Sequence, residues 1–117
     1  MGNPVVQFQI VSKKPDQSSA FYTKLFNWKV SDDNAMGYRT LDPQNKDGIK
    51  GGIWPCPPDA QAMVQIFVQV PDVGAHVAKA EALGATVVIP PSRLPDGDEM
   101  AVILDPDGLP LGLMTAR

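Results

Sequence analysis

The chain is poor in the side chains that most catalytic and metal centres use. Its 117 residues include one cysteine, Cys56, and one histidine, His76. A single cysteine cannot form an intrachain disulfide, and without neighbouring ligands it does not make a zinc knuckle. His76 falls in the first turns of a predicted helix, where we interpret it as a surface imidazole that is neither ligand nor base. The sequence offers no Ser-His-Asp or Cys-His arrangement around it.

Basic charge and long apolar runs are also scarce. Lys and Arg number 10 against 13 Asp and Glu, which gives a net charge of −3. Binding nucleic acid requires a basic patch that neutralises phosphates, so we expect no nucleic-acid partner. No apolar run approaches the length of a membrane span, and the N-terminus lacks the pattern of a signal peptide. We therefore expect no membrane partner and a cytoplasmic location.

The sequence contains one pattern of elements twice. Residues 4–12 alternate like a half-buried strand, and a helical stretch and three short strand-like stretches follow them. The same order begins again near Met63, and an offset of 58 residues places Gln7 on Gln65. That offset also places 51–54 on 109–112. We predict an α+β fold of two tandem βαβββ modules within a single domain, 1–117. Module 1 spans about 4–54, the proline-rich linker about 55–61, and module 2 about 62–116.

The first helix is predicted from its ends. Asp16 is a plausible N-cap and Asn27 a plausible stop, because asparagine tolerates left-handed backbone geometry. Phe21, Leu25 and also Tyr22 have the spacing of side chains that face a sheet.

The second helix has a clearer signature. Asp72 is predicted to cap it and Gly84 to end it. Its inward stripe is predicted to be Val73, Val77, Ala80 and Leu83. After this helix, Pro90 and Pro91 predict a loop, whereas the glycines of strand 49–54 predict a bend or a backbone that another group approaches closely.

Three stretches resemble the vicinal oxygen chelate superfamily, which includes glyoxalase I, bleomycin-resistance proteins and extradiol dioxygenases. They are 20–22 with 26–28, 70–72 with 83–85, and 104–108, which read AFY, FNW, VPD, LGA and LDPDG. The resemblance covers nearly the whole chain and matches a small bacterial type of member. It implies a mixed sheet curled around a cavity, helices outside, and a homodimer. The fold hosts several unrelated chemistries, so it does not fix the activity.

The resemblance also implies where a metal would be held. Members that use a metal place one ligand on each of four strands, and the matching positions here are Gln7, Gln65, Gly112 and, less firmly, Trp54. Zn²⁺ prefers imidazole, thiolate or carboxylate, and Mg²⁺ or Mn²⁺ prefers charged oxygen ligands. Two neutral amides, an indole and a glycine make a poor cation site. We therefore expect no metal, no cofactor and no catalytic residues.

The strand alternation instead predicts a ligand-binding face. The candidate residues are Gln7, Gln9, Trp54, Gln65, Phe67, Gln69 and Met114. An apolar pocket with a few hydrogen-bonding groups is typical of a small-molecule site. We interpret the chain as a metal-free protein that binds a small molecule in the sheet cavity, as bleomycin-resistance-type proteins do. One alternative is a metal-dependent glyoxalase-like lyase or isomerase. The other is a dimerising scaffold whose cavity is filled by Trp54.

Overall fold

A computed structural model describes residues 2–33 and 38–115. In this part of the chain the elements follow the predicted order, strand, helix and three strands, taken twice. They are β1 (Val5–Ser12), α1 (Pro15–Phe26), β2 (Lys29–Ser31), β3 (Arg39–Asp42), β4 (Lys50–Pro55), β5 (Met63–Val70), α2 (Val73–Ala82), β6 (Thr86–Arg93), β7 (Glu99–Leu104) and β8 (Pro110–Thr115). The α+β class and the βαβββ repeat are confirmed. The curl of the strands around a cavity stays a prediction.

The chain divides into two compact units. The first unit is Gln7–Gln65, and the second combines Met1–Val6 with Ile66–Arg117. Strands β1 and β5 each continue from one unit into the other. The predicted module boundaries and linker are not tested by this division.

The first unit is a mixed sheet with strand order β2-β3-β4-β1. Strand β1 runs parallel to β4, whereas β2–β3 and β3–β4 are antiparallel. Its core is small and consists of Ile10, Leu41 and Ile53, against which the partly buried Phe8, Tyr22 and Trp28 pack. The aromatic rings extend this core, since Trp28 lies 5.5 Å from Phe8 and 5.9 Å from Tyr22 between ring centroids.

The predicted N-cap of α1 is wrong, whereas its predicted C-terminal end is confirmed. Lys14 is the N-cap without a side-chain hydrogen bond, and Pro15 begins the helix. Proline suits this position because its missing N–H would have no helical partner. Asp16 therefore lies inside the first turn, where its carboxylate pairs with Arg39 instead of capping. Asn27 adopts the left-handed conformation at the C-cap, as predicted.

The predicted inward face of α1 is wrong for two residues. Phe21 and Leu25 are each 58% exposed, and only Tyr22 of the three packs against the core. Helix α1 contains no fully buried residue. Its aromatic contact with the core comes from Tyr22 and the Trp28 ring beside it, and its polar contacts with the strands are Ser18–Ser12 and Asp16–Arg39. The helical spacing was correct, but it could not select which of two adjacent aromatic stripes faces inward.

The second unit repeats the plan with strand order β5-β8-β7-β6. Strand β5 runs parallel to β8, whereas β7 is antiparallel to both β8 and β6. Its core is larger, and consists of Val70, Val73, Val77, Ala101, Ile103 and Leu113.

Helix α2 agrees closely with its signature. The Asp72 carboxylate accepts a hydrogen bond from the Ala75 N–H at 3.0 Å, which is the predicted N-cap. Val73 and Val77 are buried and Ala80 packs against them. Gly84 follows with a positive φ of 102°, as a terminating glycine should. Leu83 is the exception, because it is the C-cap residue and is 70% exposed.

The prediction of a loop at the two prolines after α2 needs correction. Pro90 and Pro91 lie within β6 rather than in a loop. Strand β6 is the last in the order of its unit and has register shifts between Val87 and Ser92, so these prolines need not donate to a neighbouring strand.

The register of β4 and β8 corrects the residue offset that was predicted between the two modules. Gln9 pairs with Gly52 and Phe67 pairs with Gly112, in equivalent positions of the two parallel strand pairs. The equivalent of Gly112 is therefore Gly52, and Trp54 corresponds to Met114. The offset of 58 residues holds for the first strands and the helices, but it becomes 60 at β4 and β8.

The described residues contain no helix that is both long and apolar enough to cross a membrane.

Candidate functional site

Register and alternation put a row of polar side chains on one face of the first unit. Gln7, Gln9 and Val11 of β1 pair with Lys50, Gly52 and Trp54 of β4. Side chains of one strand alternate between faces, so these residues share the face opposite Phe8 and Ile10. Phe8 and Ile10 belong to the core with α1. The polar face is thus the one that the helix leaves uncovered.

Tyr38 organises this face, although it was not among the predicted site residues. Its hydroxyl donates a hydrogen bond to Gln9 Oε1 at 3.0 Å. Its ring lies 5.7 Å from the Trp54 ring at an interplanar angle of 44°. The Tyr38 side chain thus brings three predicted residues together. It hydrogen-bonds with the Gln7 and Gln9 side chains, and its ring contacts Trp54.

A glycine makes room for the Tyr38 ring. A Cβ added at Gly52 would overlap the Tyr38 hydroxyl and ring, and a Cβ at Gly51 would overlap the Phe8 ring on the other face. The predicted close approach to the glycines of β4 is thus confirmed. Adjacent glycines serve opposite faces of one strand because successive residues point in opposite directions.

The environment of Tyr38 shifts its acidity. Burial raises the pKa of Tyr38 from 10.0 to about 12, and a hydrogen bond with the Gln7 side chain opposes the increase. Removing the phenol from water disfavours the charged phenolate, which is the larger effect. Tyr38 is therefore a neutral hydrogen-bonding group at physiological pH.

Gln65 carries an unsatisfied polar atom. It is 7% exposed, and its Oε1 has no hydrogen-bond partner. A buried carbonyl oxygen without a partner costs about 1–3 kcal/mol. Its neighbours Val64 and Ile66 are 65% and 44% exposed, which is unusual for a strand that buries a glutamine between them. A hydrogen-bond donor that reached this oxygen would remove that cost.

The remaining predicted residues lie in the second unit. Phe67 is 4% exposed, and its ring covers Gly112 much as Tyr38 covers Gly52. Gln69 pairs with Met114 two positions further along the strands, and both are half-buried. Phe67 is thus buried against Gly112, whereas Gln69 and Met114 retain exposed area; their part in ligand binding stays a prediction.

His76 has a structural environment. Its Nδ1 lies 3.1 Å from the Asp72 carbonyl oxygen, and its Nε2 lies 3.4 Å from Asn3 Nδ2. A neutral ring whose Nδ1–H donates to the carbonyl can accept from the Asn3 amide at Nε2. Both nitrogens are engaged in joining the start of α2 to the segment before β1.

The positions implied for a metal do not fit one. With the register corrected, they are Gln7, Gln65, Gly52 and Gly112, which supply two neutral amides and no charged ligand. Among residues 2–33 and 38–115 there is no group of three or more His, Cys, Asp or Glu side chains suited to a metal ion. Amide oxygens alone do not offset the cost of dehydrating a divalent cation. We derive no reaction step through a metal.

The fold points to one protein class, and sequence comparison supports it. The family model of the glyoxalase-like domain matches residues 7–114. The chain therefore belongs to the glyoxalase-like domain family, within the vicinal oxygen chelate superfamily.

Relatives and solved structures extend the comparison. CFP32 of Mycobacterium tuberculosis (strain CDC 1551 / Oshkosh), which is named a candidate glyoxylase, is 30% identical over 103 residues. The match covers 86% of this chain and 39% of CFP32, so the chain spans well under half of that relative.

Two solved structures show the same fold at low identity. A glyoxalase/bleomycin resistance protein/dioxygenase superfamily member from Vibrio splendidus 12B01 has a TM-score of 0.63 at 13% identity, covering 97% of this chain and 98% of that one. A Streptomyces coelicolor methylmalonyl-CoA epimerase variant in complex with 2-nitronate-propionyl-CoA has a TM-score of 0.62 at 18% identity, covering 97% and 96%. Both likenesses concern the fold alone.

Proposed function

We propose that the chain is a metal-free small-molecule-binding protein of the glyoxalase-like family. The ligand would lie in the sheet cavity, against the polar face that carries Gln9, Tyr38 and Trp54. The observation that carries this proposal is the Tyr38 phenol, which is held between two glutamine amides with an exposed indole beside it. Neutral donors and acceptors next to an aromatic surface are the usual means of orienting a small ligand.

The exposure of Trp54 favours binding over the scaffold alternative. Trp54 is 44% exposed, and its ring contacts Tyr38 rather than the core residues of its unit. A side chain that filled a cavity as core would be mostly buried. The indole therefore has surface to offer to a ligand.

Ligand fluorescence titration tests the proposal. A Trp28→Phe variant leaves Trp54 as the single indole, so a screen of aromatic and amide compounds, both neutral and anionic, can be followed by Trp54 emission. We expect saturable changes with some compounds, and at least about tenfold weaker binding in Tyr38→Phe, because the phenol hydrogen bonds are lost. Tyr22→Phe is the matched control, since Tyr22 packs in the core on the other face. Equal affinities in the two variants, or no saturable compound, would contradict the proposal.

A metal-dependent lyase or isomerase is the second candidate, and one observation favours it. The buried Gln65 Oε1 lacks a partner and lies at a position that resembles a family ligand. The test is thermal unfolding of the chelator-treated protein with Mn²⁺, Co²⁺, Ni²⁺ and Zn²⁺. Binding at one hundred times the dissociation constant stabilises by about 2.7 kcal/mol. A saturable rise that disappears in Gln65→Met would replace the metal-free proposal, whereas a flat response supports it.

We also propose a cytoplasmic homodimer. Helix α1 leaves Phe21, Leu25 and Phe26 more than half exposed, and a contiguous apolar surface of this kind favours association. Sedimentation equilibrium tests the oligomeric state, and a monomer at all concentrations would contradict it. Fractionation of cells that express the natural gene tests the location.

A further inference from the structure

A second feature of the first unit is a shallow pocket with basic side chains. It has a volume of about 290 Å³ and is lined by Lys29, Ser31, Thr40, Leu41, Asp42 and Lys50. These residues come from three adjacent strands, with Lys29 paired to Asp42 and Ser31 paired to Thr40. The pocket is therefore built across strands rather than on a loop, which fixes the spacing of its polar groups.

The two lysines of this pocket have no acidic partner. Within residues 2–33 and 38–115 neither Lys29 nor Lys50 forms an ion pair, so neither ammonium lies within 4.0 Å of a described carboxylate. Asp42 shares the pocket, but its Oδ1 accepts a hydrogen bond from the Gln44 N–H at 2.8 Å. Two positive charges and one negative charge leave the pocket with a net positive charge in a chain whose net charge is −3.

The pocket has an uncharged donor as well. Ser31 Oγ accepts a hydrogen bond from the Asp33 N–H at 3.2 Å, which leaves the hydroxyl hydrogen of Ser31 to donate. The Thr40 hydroxyl, in contrast, already donates to the Ser31 carbonyl oxygen at 3.1 Å. The available groups, Lys29, Lys50 and the Ser31 hydroxyl, are thus all hydrogen-bond donors.

The pocket adjoins the Tyr38 cluster on the same face. Lys50 pairs with Gln7, and Gly52, which the Tyr38 ring covers, lies two residues further along β4. Two residues of a strand span about 6–7 Å. One extended small molecule could reach both places.

We propose that this pocket binds the anionic group of the ligand, a carboxylate or a phosphate monoester. The inference rests on the proposed small-molecule binding and specifies its ligand class as anionic. Two ammonium groups and a hydroxyl match the acceptor oxygens of such a group, whereas the neutral part of the ligand contacts Gln9, Tyr38 and Trp54. The assignment differs from expectation based on total charge, since an acidic chain would suit a cationic ligand.

The test is an NMR titration with inorganic phosphate and, separately, with acetate. Ionic strength is held constant with sodium chloride, because exposed ammonium groups bind anions weakly and salt screens them. We expect saturable amide shifts confined to 29–31, 40–42 and Lys50. The relative affinities of phosphate and acetate identify the preferred anion.

Variants make the test specific. Lys29→Gln with Lys50→Gln should lower the affinity at least about tenfold, since both charge-assisted contacts are lost. Lys46→Gln, in the exposed loop between β3 and β4, removes the same kind of charge outside the pocket and should leave binding unchanged. Asp42→Asn retains the acceptor for the Gln44 N–H and removes the negative charge, so it should tighten binding about threefold.

The outcomes separate this inference from the proposed function. Shifts that are scattered over surface lysines, or equal binding in the Lys29/Lys50 double variant and Lys46→Gln, would overturn the anion site. Neutral compounds that shift Trp54 emission would still support ligand binding in that case. Conversely, anion binding here without any response of Trp54 to compounds would contradict the Tyr38 site and leave the basic pocket standing.

Discussion

Replacing Gly52 by alanine should disable the Tyr38 cluster while the fold persists. The added Cβ would overlap the Tyr38 hydroxyl and ring, so the ring must move away from β4. That movement breaks the 3.0 Å hydrogen bond to Gln9 and exposes the phenol to water. The backbone of Gly52 itself has no positive φ and accepts alanine without strain.

The expected size of the effect follows from three contributions. Crowding a packed site costs about 1–3 kcal/mol, and the lost hydrogen bond costs about 0.5–1.5 kcal/mol. Alanine also restricts the unfolded chain more than glycine does, which stabilises the folded state by about 0.4–1 kcal/mol where the backbone conformation is compatible. We therefore expect a net loss of about 1–3 kcal/mol, which lowers the melting temperature of a domain of this size by several degrees.

Gly112→Ala provides the matched comparison in the second unit. There the Cβ would lie 2.5 Å from Cε2 of Phe67, a side chain that is 4% exposed. Because that ring has no solvent to move into, Gly112→Ala should destabilise more than Gly52→Ala. It should leave the pKa of Tyr38 and the emission of Trp54 unchanged.

Urea unfolding and phenol titration distinguish the two variants. With Tyr22→Phe as background, the Tyr38 phenolate is the single tyrosine absorbance change and should appear near pH 12 in the parent. In Gly52→Ala it should appear closer to pH 10.0, the ordinary value. An unchanged Tyr38 pKa together with unchanged stability in Gly52→Ala would refute the packing argument.

Three other predictions follow from single contacts. The pKa of Tyr38 is about 12 in the folded protein and 10.0 in the unfolded chain, so its contribution to stability is complete below pH 10.0 and is lost as the pH rises toward 12. Urea unfolding at pH 10.0 and at pH 12 should show a larger fall in the free energy of unfolding for the parent protein than for Tyr38→Phe. Gln65→Met removes the unpartnered buried acceptor and should leave stability unchanged or raise it by about 1 kcal/mol while weakening ligand binding; a loss above that size, measured by urea unfolding, would show that the amide has a structural partner. Asp72→Ala should cost about 1 kcal/mol and Asp72→Asn almost nothing, because asparagine retains the oxygen that accepts the Ala75 N–H; equal losses in thermal unfolding would argue against the cap.

Local rules predicted the fold well where a residue type has one conformational role. Asn27 and Gly84 end the two helices, and Asp72 caps the second, because each satisfies backbone geometry that few other residues can. Asp16 looked equally suitable as a cap. Its carboxylate instead pairs with Arg39, 23 positions further along the chain, and that interaction is not visible from neighbouring residues.

The repeat predicted the modules but not the register of their last strands. The connection between β3 and β4 covers 43–49, whereas the one between β7 and β8 covers 105–109, and β6 is longer than β2. Such differences in turns and edge strands do not disturb the hydrophobic alternation, so the constant offset could not reveal them. This is why Trp54, rather than Gly52, was matched to Gly112.

The candidate site was predicted only in part, because strand alternation identifies some of its residues and tertiary register is needed for the others. Alternation placed Gln7, Gln9 and Trp54 together, and the glycines of β4 indicated a close approach by some other group. What approaches Gly52 is Tyr38, which immediately precedes β3, the strand that pairs with β4. Its identity required the β3–β4 register. The meeting of Lys29 with Lys50, which are 21 residues apart, required the β2–β3 register as well.

The two prolines of β6 have a consequence for the solution behaviour of the protein. A strand at the end of a sheet exposes N–H and C=O groups that can recruit another chain, which is a common start of aggregation. Pro90 and Pro91 lack the N–H, and the register shifts beside them interrupt any regular ladder. Replacing both by threonine would restore a continuous donor row on β6. Such a variant should precipitate at concentrations where the natural sequence stays clear.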